Sequence, residues 1–208
     1  MEYNTGNIEK YSSKNPLKQW MIKCFLKKLQ NVFGHITETY KNENIDVLDI
    51  GCGEGLISNL LYDNFQNIKI TAVDYFAEAI ERAKQNNNRQ ILFETGDITN
   101  LKYADKNFDI VLATEVLEHL SAPQKAVQEL LRVANKAIIL SVPNEPFFCL
   151  GNFLSGKNMP RLGNPIDHIN HWTYPGFRKF LQKEIPSEFS VKQYNCYVWT
   201  LVVITNAE

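Results

Sequence analysis

Residues 47–55 read V-L-D-I-G-C-G-E-G, an apolar run that ends in three closely spaced glycines. The apolar residues 45–50 predict a buried strand, and the leucine spacing of residues 55–65 predicts a helix directly after the glycines. Gly51, Gly53 and Gly55 let the chain turn sharply and approach a ligand without interference from a Cβ atom. The run therefore predicts a strand, a ligand-binding turn and a helix, which together begin an α/β fold.

The same alternation of strands and helices continues along the chain. The next predicted elements are a strand at 68–73, a helix at 76–86, strands at 90–94 and 108–113, a helix at 122–134 and a strand at 136–142. This alternation is typical of a doubly wound, Rossmann-like parallel sheet with helices on both faces. After a helix at 173–183, the β-branched and aromatic residues of 187–194 and 196–204 predict an antiparallel pair that ends the sheet.

The chain length of 208 residues suits a single domain, since domains average about 150 residues. Within residues 1–208 we expect an N-terminal helical lid at 10–40, a core at 41–142, an excursion at 143–172 and a C-terminal helix with the strand pair at 173–208. The excursion is rich in Pro, Gly, Asn and aromatic residues. Loops of this length usually serve binding, so we expect it to cover the sheet edge that carries the site.

The N-terminal helix combines an apolar stripe with a basic remainder. The predicted stripe comprises Leu17, Trp20, Met21, Cys24, Phe25, Leu29, Val32, Phe33 and Ile36, and the lysines are Lys14, Lys18, Lys23, Lys27 and Lys28. One interpretation is a helix packed on the domain with a solvated basic face. The other is a lid or landing surface for an anionic substrate, a carrier protein or a lipid headgroup.

The composition narrows the possible partners. Lys and Arg number 22 and Asp and Glu number 23, so a net charge of −1 provides no general attraction to nucleic acid or anionic membranes. The longest apolar runs, such as 137–140 and 201–204, are far shorter than a membrane span. The first residues lack the features of a secretory signal, so we expect a cytoplasmic protein. The four scattered cysteines are expected to be reduced thiols.

The glycine run does not match the dinucleotide-binding fingerprint. Counted from Gly51, the third glycine of G-x-G-x-x-G would fall at position 56, which is Leu56. Asp49 lies two residues before Gly51, and we expect its carboxylate to point toward the mouth of the turn, where it would repel a pyrophosphate. These residues argue against a nicotinamide-dependent dehydrogenase and favour a ligand that carries a cation.

Acidic residues also follow the next two predicted strands. Asp74 ends the second strand, where a carboxylate can accept both hydroxyls of a ribose. Asp97 follows the third strand and can accept an exocyclic amine, while the amide of Ile98 donates to a ring nitrogen, a pairing that suits adenine. Each acid taken singly is more commonly a loop cap. Three acids at consecutive strand ends beside a glycine turn predict a nucleoside with a positively charged tail.

These runs, together with F-D-I-V-L-A-T-E-V-L-E-H-L at 108–120, resemble the class I S-adenosylmethionine-dependent methyltransferases, especially the group that includes ubiquinone and menaquinone biosynthesis enzymes. The resemblance spans about residues 40–142 and implies S-adenosyl-L-methionine as the cofactor and a seven-stranded sheet with a reversed last strand. It implies Asp49, Gly51 and Gly53 near the methionine moiety, Asp74 at the ribose, Asp97 and Ile98 at the adenine, and Glu115 on the fourth-strand side. Cys52 and Tyr75, which adjoin these residues, complete the predicted cofactor contacts.

Three of the four histidines fall in segments expected to face the cofactor. His119 follows the fourth strand, and His168 and His171 lie in the excursion. Glu115 and Glu118 or His119 are three or four residues apart, so on one helical turn they would share a face. Residues 167–172 could fold over them. We predict His119 or His168 as a catalytic base with Glu118 as its partner, and His171 as a further catalytic residue.

The acceptor is predicted to be small or amphiphilic, with an oxygen or nitrogen atom that receives the methyl group. Phe147, Phe148, Leu150, Phe153 and Leu154 form an apolar segment that either caps the open end of the sheet or receives an apolar acceptor. Contact with a membrane surface or a carrier protein is compatible with this segment.

Two alternatives remain open. The E-x-x-E-H run, Pro143-Asn144 and the later histidine resemble the metal-dependent small-RNA 2′-O-methyltransferases of the Hen type, although no basic stripe for RNA is present. The prediction is no metal, because such histidines are more often structural or acid/base groups. A non-catalytic, cofactor-binding regulatory protein is the second alternative.

Overall fold

The computed structural model describes residues 15–40, 43–154 and 158–207. Lys14 and the predicted helical residues before 15 lie outside the described residues. The helices are α1 Pro16–Thr39, α2 Leu56–Asn64, α3 Ala77–Gln85, α4 Pro123–Val133, α5 Phe147–Leu154 and α6 Tyr174–Glu184, with 3₁₀ turns at Leu117–His119 and Met159–Arg161. The strands are β1 Ile45–Ile50, β2 Ile68–Asp74, β3 Ile91–Thr95, β4 Phe108–Thr114, β5 Ala134–Pro143, β6 Phe189–Cys196 and β7 Trp199–Asn206.

The strands form one seven-stranded sheet in the order β3-β2-β1-β4-β5-β7-β6. Neighbouring strands among β1 to β5 are parallel, whereas β7 is antiparallel to both β5 and β6. The predicted doubly wound sheet with a reversed last strand is therefore confirmed. Because β1, β2, β3 and β4 all run in the same direction, the loops after them share one edge of the sheet.

The sheet is covered on both faces by separate apolar clusters, because successive strand residues point to opposite sides. Val47 of β1 faces the cluster that contains Phe25 and Phe33 of α1. The next residue, Leu48, faces the cluster that contains Leu130 of α4 and Phe177 of α6. The two covered faces explain why consecutive residues such as Val47 and Leu48 are both apolar and buried.

Helix α1 is part of the first cluster. Asn15 caps it by accepting hydrogen bonds from the amides of Leu17 and Lys18. Its buried side chains are Ile22, Phe25, Leu29, Val32, Phe33 and Ile36. The predicted stripe is wrong at its beginning, because Leu17 and Trp20 are 63% and 47% exposed while the omitted Ile22 is buried. This burial favours the interpretation of a packed helix.

The described residues also bear on the other general expectations. Among them, no helix is both long and apolar enough to cross a bilayer. All four cysteines carry free thiols. The cytoplasmic location stays a prediction.

Candidate functional site

The turn between β1 and α2 is built on glycines in left-handed conformation. Gly51, Gly53 and Gly55 have φ angles of 77°, 54° and 80°. A Cβ atom on Gly51 would lie 2.2 Å from Cγ2 of Val116, in the loop after β4. The glycine turn therefore packs directly against the loop that leads to His119.

Asp74 holds the glycine turn to the end of β2. Its Oδ2 accepts a hydrogen bond from the Gly53 amide at 2.8 Å, and its Oδ1 accepts one from the Phe76 amide at 2.9 Å. Burial raises the pKa of this carboxyl above its ordinary value, although the backbone amides oppose the shift. A carboxylate has about four lone-pair sites, so Asp74 retains capacity to accept ligand hydroxyls.

Asp49 lies beneath the turn and is fully buried. Its Oδ2 accepts a hydrogen bond from the Ser58 hydroxyl of α2 at 2.6 Å, whereas Oδ1 has no hydrogen-bond partner among the described residues. Burial raises the pKa of Asp49 to about 6, the Ser58 hydrogen bond opposes this shift and the charge of Asp74 adds to it. The sequence predicted that this carboxylate points toward the mouth of the turn. In the structure its Oδ2 points instead toward Ser58 of α2.

The loop after β3 lies beside the end of β2, because the Gly96 amide donates to the Asp74 carbonyl at 2.9 Å. Asp97 is exposed, and its Oδ1 accepts hydrogen bonds from both the amide and the hydroxyl of Thr99 at 2.8 Å. This geometry is that of a loop cap, and it leaves the carboxylate facing solvent. The next residue, Ile98, is buried. Tyr75, after β2, is 68% exposed at the same edge.

The loop after β4 differs from the prediction. Glu115 has a φ of 57° and precedes the 3₁₀ turn Leu117–His119, so it does not share a helical turn with Glu118 and His119. Its amide donates to the Ser141 carbonyl of β5 at 2.9 Å, which holds it in register with the sheet. Left-handed conformation is uncommon for a non-glycine residue and ends the regular geometry at the strand edge.

The excursion closes over this 3₁₀ turn, as predicted. The amides of Ile169 and Asn170 donate to the Glu118 carbonyl at 2.8 and 2.9 Å. The Asn170 side-chain amide also donates to the carbonyls of Leu117 and Leu120, at 3.1 and 2.7 Å. These four hydrogen bonds clamp the excursion to the loop after β4.

His119 is oriented by the excursion. Its Nδ1 lies 2.9 Å from the carbonyl oxygen of Asp167. Because a carbonyl can only accept, Nδ1 carries the proton, and in the neutral ring Nε2 keeps its lone pair. Nε2 lies 4.0 Å from Oε1 of the buried Glu118. Burial lowers the pKa of His119 below its ordinary value, although Asp167 opposes the shift.

Glu145, directly after β5, was missed in the sequence analysis. Its Oε1 lies 3.9 Å from Nδ1 of His168 and 3.8 Å from Nδ1 of His171. Burial acts to raise the pKa of Glu145, but His168 and Cys149 outweigh it, and the pKa is lowered. The sequence contains a signal for Glu145, because this acid follows the fifth predicted strand just as Asp97 follows the third.

The family model described as "Methyltransferase domain" matches residues 41–151, more than half of the chain. The chain belongs to this methyltransferase family. The predicted resemblance to class I S-adenosylmethionine-dependent methyltransferases is thereby confirmed.

Two relatives and one solved structure illustrate the match of this methyltransferase. Ubiquinone biosynthesis O-methyltransferase of Rickettsia akari (strain Hartford) is 32% identical over 110 residues, covering 50% of this chain and 43% of the relative. Malonyl-[acyl-carrier protein] O-methyltransferase of Anoxybacillus flavithermus is 30% identical over 91 residues, covering 43% and 35%. The matched part of the chain thus spans less than half the length of either relative.

The solved structure of plantazolicin methyltransferase BpumL, in complex with a monoazolic desmethylPZN analogue and SAH, has a TM-score of 0.75 to this methyltransferase. The identity is 16%, with coverage of 96% of this chain and 93% of that one. The TM-score shows that the two proteins share a fold, and at this identity the comparison shows no more than that.

The residues at the first three strand ends fit an adenosine that carries a cation. The orphaned Oδ1 of Asp49 is an acceptor for a cationic donor, and a nearby positive charge favours the ionised carboxylate. The predicted cofactor residues Asp49, Gly51, Cys52, Gly53, Asp74, Tyr75, Asp97 and Ile98 all lie on or directly after the adjacent strands β1, β2 and β3. The structure therefore groups them along one edge of this methyltransferase, with Glu115 after the neighbouring β4.

Proposed function

We propose that this chain transfers the methyl group of S-adenosylmethionine to an oxygen or nitrogen atom of a small or amphiphilic acceptor. The observation that carries the proposal is the buried, unpartnered Oδ1 of Asp49 beneath a glycine turn that contacts the His119 loop. A buried carboxylate oxygen without a partner is costly, and a cationic ligand would offset that cost.

The cofactor would lie across the ends of β1, β2 and β3. Asp49, Gly51, Cys52 and Gly53 would hold the methionine part, and Asp74 the ribose hydroxyls. Asp97, Ile98 and Tyr75 would hold the adenine, and Glu115 would close the side next to β4. The backbone turn at Gly53 is already positioned by Asp74, so little ordering remains to be done on binding.

For an oxygen acceptor, His119 is the proposed base. The Asp167 carbonyl holds the proton on Nδ1, so Nε2 can receive the acceptor proton. The acceptor oxygen attacks the methyl carbon, the C–O bond forms as the C–S bond breaks, and the electron pair remains on sulfur. Glu118 would stabilise the imidazolium that results. A neutral amine can attack first and lose its proton to the same nitrogen afterwards.

The surface of the excursion favours an acceptor with an apolar part. Phe147 and Leu150 of α5 are 57% and 52% exposed, and Leu162 and Ile166 are 74% and 79% exposed. Several large apolar side chains exposed within one segment are consistent with a binding surface. One relative is named for a malonyl group on an acyl carrier protein, which is an acceptor bound to a carrier.

Calorimetry and isotope labelling test the proposal. Titration with S-adenosylmethionine and with SAH should give saturable heat, and Asp74→Asn should weaken both. A cell extract incubated with the protein and methyl-labelled cofactor should yield a labelled acceptor by mass spectrometry. Absence of cofactor heat from folded protein would refute the proposal, whereas cofactor binding without any labelled product would favour the regulatory alternative. Labelled RNA, with binding that weakens with salt, would favour the RNA alternative.

A further inference from the structure

Glu145 and the two histidines of the excursion form a compact ligand set outside the predicted cofactor groove. One ligand atom from each of Glu145, His168 and His171 lies within 4.8 Å of the others. The Glu145 amide donates to the Trp172 carbonyl at 2.8 Å, so the end of β5 and this segment are held together by backbone. The spacing is thus set by the fold.

Direct hydrogen bonds do not explain the arrangement. The 3.9 Å separation of Glu145 Oε1 and His168 Nδ1 is too long for one. Both atoms are buried and have no hydrogen-bond partner among the described residues, and their side chains are 10% and 7% exposed. Buried polar atoms that face each other across such a gap call for a third group between them.

A divalent metal ion has the right size for the gap. Carboxylate oxygens and imidazole nitrogens lie about 2.0–2.2 Å from Zn²⁺, so two ligand atoms of one ion are about 3–4 Å apart. The separations of 3.9 and 3.8 Å from Glu145 Oε1 match this geometry.

Neighbouring groups orient the ligand atoms. The Cys149 amide donates to Glu145 Oε2 at 3.2 Å, which directs Oε1 at the histidines. His171 Nε2 lies 3.3 Å from the Asn164 amide, whose buried Oδ1 lacks a partner among the described residues. Turning that amide over lets Oδ1 accept the Nε2 proton, which satisfies Oδ1 and frees Nδ1 for the metal.

We propose that Glu145, His168 and His171 bind one divalent transition-metal ion through a carboxylate oxygen and two imidazole nitrogens. Two histidines and one carboxylate leave coordination positions open. This part of the proposal rests on the proposed function. An acceptor hydroxyl bound at an open position of the ion would have a lowered pKa. His168 would then be a ligand, which leaves His119 as the base.

Cobalt titration tests the site. Protein stripped with EDTA should bind one Co²⁺ ion per chain. Calorimetry and the visible absorption of the bound ion measure this binding. Glu145→Gln and His171→Gln should each weaken binding at least about 100-fold, since loss of an outer partner alone costs about 10–100-fold. His35→Gln on α1 is the matched control and should bind normally. A thermal melt of His171→Gln serves as the folding control and should match that of the wild type, because the His171 side chain is 37% exposed.

Other outcomes decide against the site. No Co²⁺ or Zn²⁺ binding by folded wild-type protein would overturn it. So would binding that Glu118→Gln abolishes and His171→Gln spares, because it would place the ion at Glu118, His119 and His168, the other set with suitable spacing. Cofactor calorimetry on the same stripped protein reports on the proposed function independently, so the two failures are distinguishable.

Discussion

At the scale of single residues, Asp49 is a buried acid at the centre of the proposed cofactor site. It is fully buried, and its carboxylate is near the second buried acid, Asp74. Burial raises the pKa of Asp49 to about 6, so without ligand it is largely protonated below that pH. Both S-adenosylmethionine and SAH carry an α-ammonium group, but only S-adenosylmethionine adds a sulfonium, so it offsets the cost of burying the ionised carboxylate more fully.

The affinity for S-adenosylmethionine should therefore depend on pH. It should rise up to about tenfold per pH unit below pH 6 and level off above, because cationic ligand binding requires the ionised carboxylate. SAH should show a smaller rise, and Asp49→Asn should remove the difference between the two ligands. Calorimetry from pH 5 to 8 measures this. Equal pH dependence for both ligands in the wild type would contradict the proposed placement of the sulfonium.

His119 offers a second test at this scale. His119→Gln should lower kcat for an oxygen acceptor about 10²–10⁴-fold, the usual contribution of a general base. The Kd for S-adenosylmethionine should remain unchanged, because His119 is not among the residues proposed to contact the cofactor. Turnover of the acceptor identified by labelling gives kcat, and cofactor calorimetry gives the Kd. An unchanged kcat would rule out His119 as the base.

At the scale of elements, the decisive contact is the clamp between the excursion and the 3₁₀ turn Leu117–His119. Two backbone amides and the Asn170 side chain hold it, and the Asp167 carbonyl that orients His119 belongs to the same segment. The position of His119, the proposed base, therefore depends on a side-chain amide that takes no part in the proposed reaction. Asn170 is a positioning residue.

Asn170→Ala should lower kcat while leaving cofactor affinity intact. It removes two hydrogen bonds, each worth about 0.5–1.5 kcal/mol, and leaves the two backbone bonds in place. Hydrogen exchange should become faster in residues 158–172. The matched control is Asn64→Ala, which removes an exposed amide-to-carbonyl bond within α2. Normal kcat in the Asn170 variant would mean that the clamp does not position His119.

The glycine turn gives a second prediction for an element. Gly51→Ala should destabilise the protein by about 2–4 kcal/mol, the sum of left-handed strain and overpacking against Val116. Cofactor affinity should also fall. Gly151→Ala in α5 is the control, since its Cβ would meet nothing within 4 Å, and it should be neutral or stabilise by up to about 1 kcal/mol. Urea denaturation measures the stability of both variants, and calorimetry measures their cofactor affinity. Similar unfolding midpoints for the two variants would show that the glycine turn accommodates a side chain at position 51.

At the scale of the whole molecule, the core extends beyond the family-matched residues 41–151. Phe25 of α1 is fully buried and packs on Trp199 of β7 with ring centroids 5.2 Å apart. The N-terminal helix and the last strand thus complete one face of the sheet together. A lid that opened would expose this cluster.

Phe25→Ala should therefore destabilise the whole protein by about 3–5 kcal/mol in a single cooperative transition. The control Leu17→Ala, at a side chain 63% exposed on the same helix, should have little effect. Denaturant unfolding followed by both fluorescence and circular dichroism measures this. A separate early transition for the Phe25 variant would instead support a detachable lid.

Local sequence determined the sheet, the glycine turn and the row of acids at the proposed cofactor edge of this protein. Strand periodicity, glycine conformations and acids at strand ends are properties of short runs such as 45–56, so they can be interpreted without knowing the fold. The predicted strands and helices accordingly agree with the structure to within a few residues.

Tertiary structure alone decided the acceptor side. The position of the proton on His119 depends on the carbonyl of Asp167, 48 residues away. Glu145 becomes a candidate metal ligand only because the fold brings it close to His168 and His171. The left-handed Glu115, which breaks the expected helical turn, is likewise held by a hydrogen bond to β5. Such contacts arise when a long loop closes on a distant strand end, and no local pattern encodes which atoms then meet.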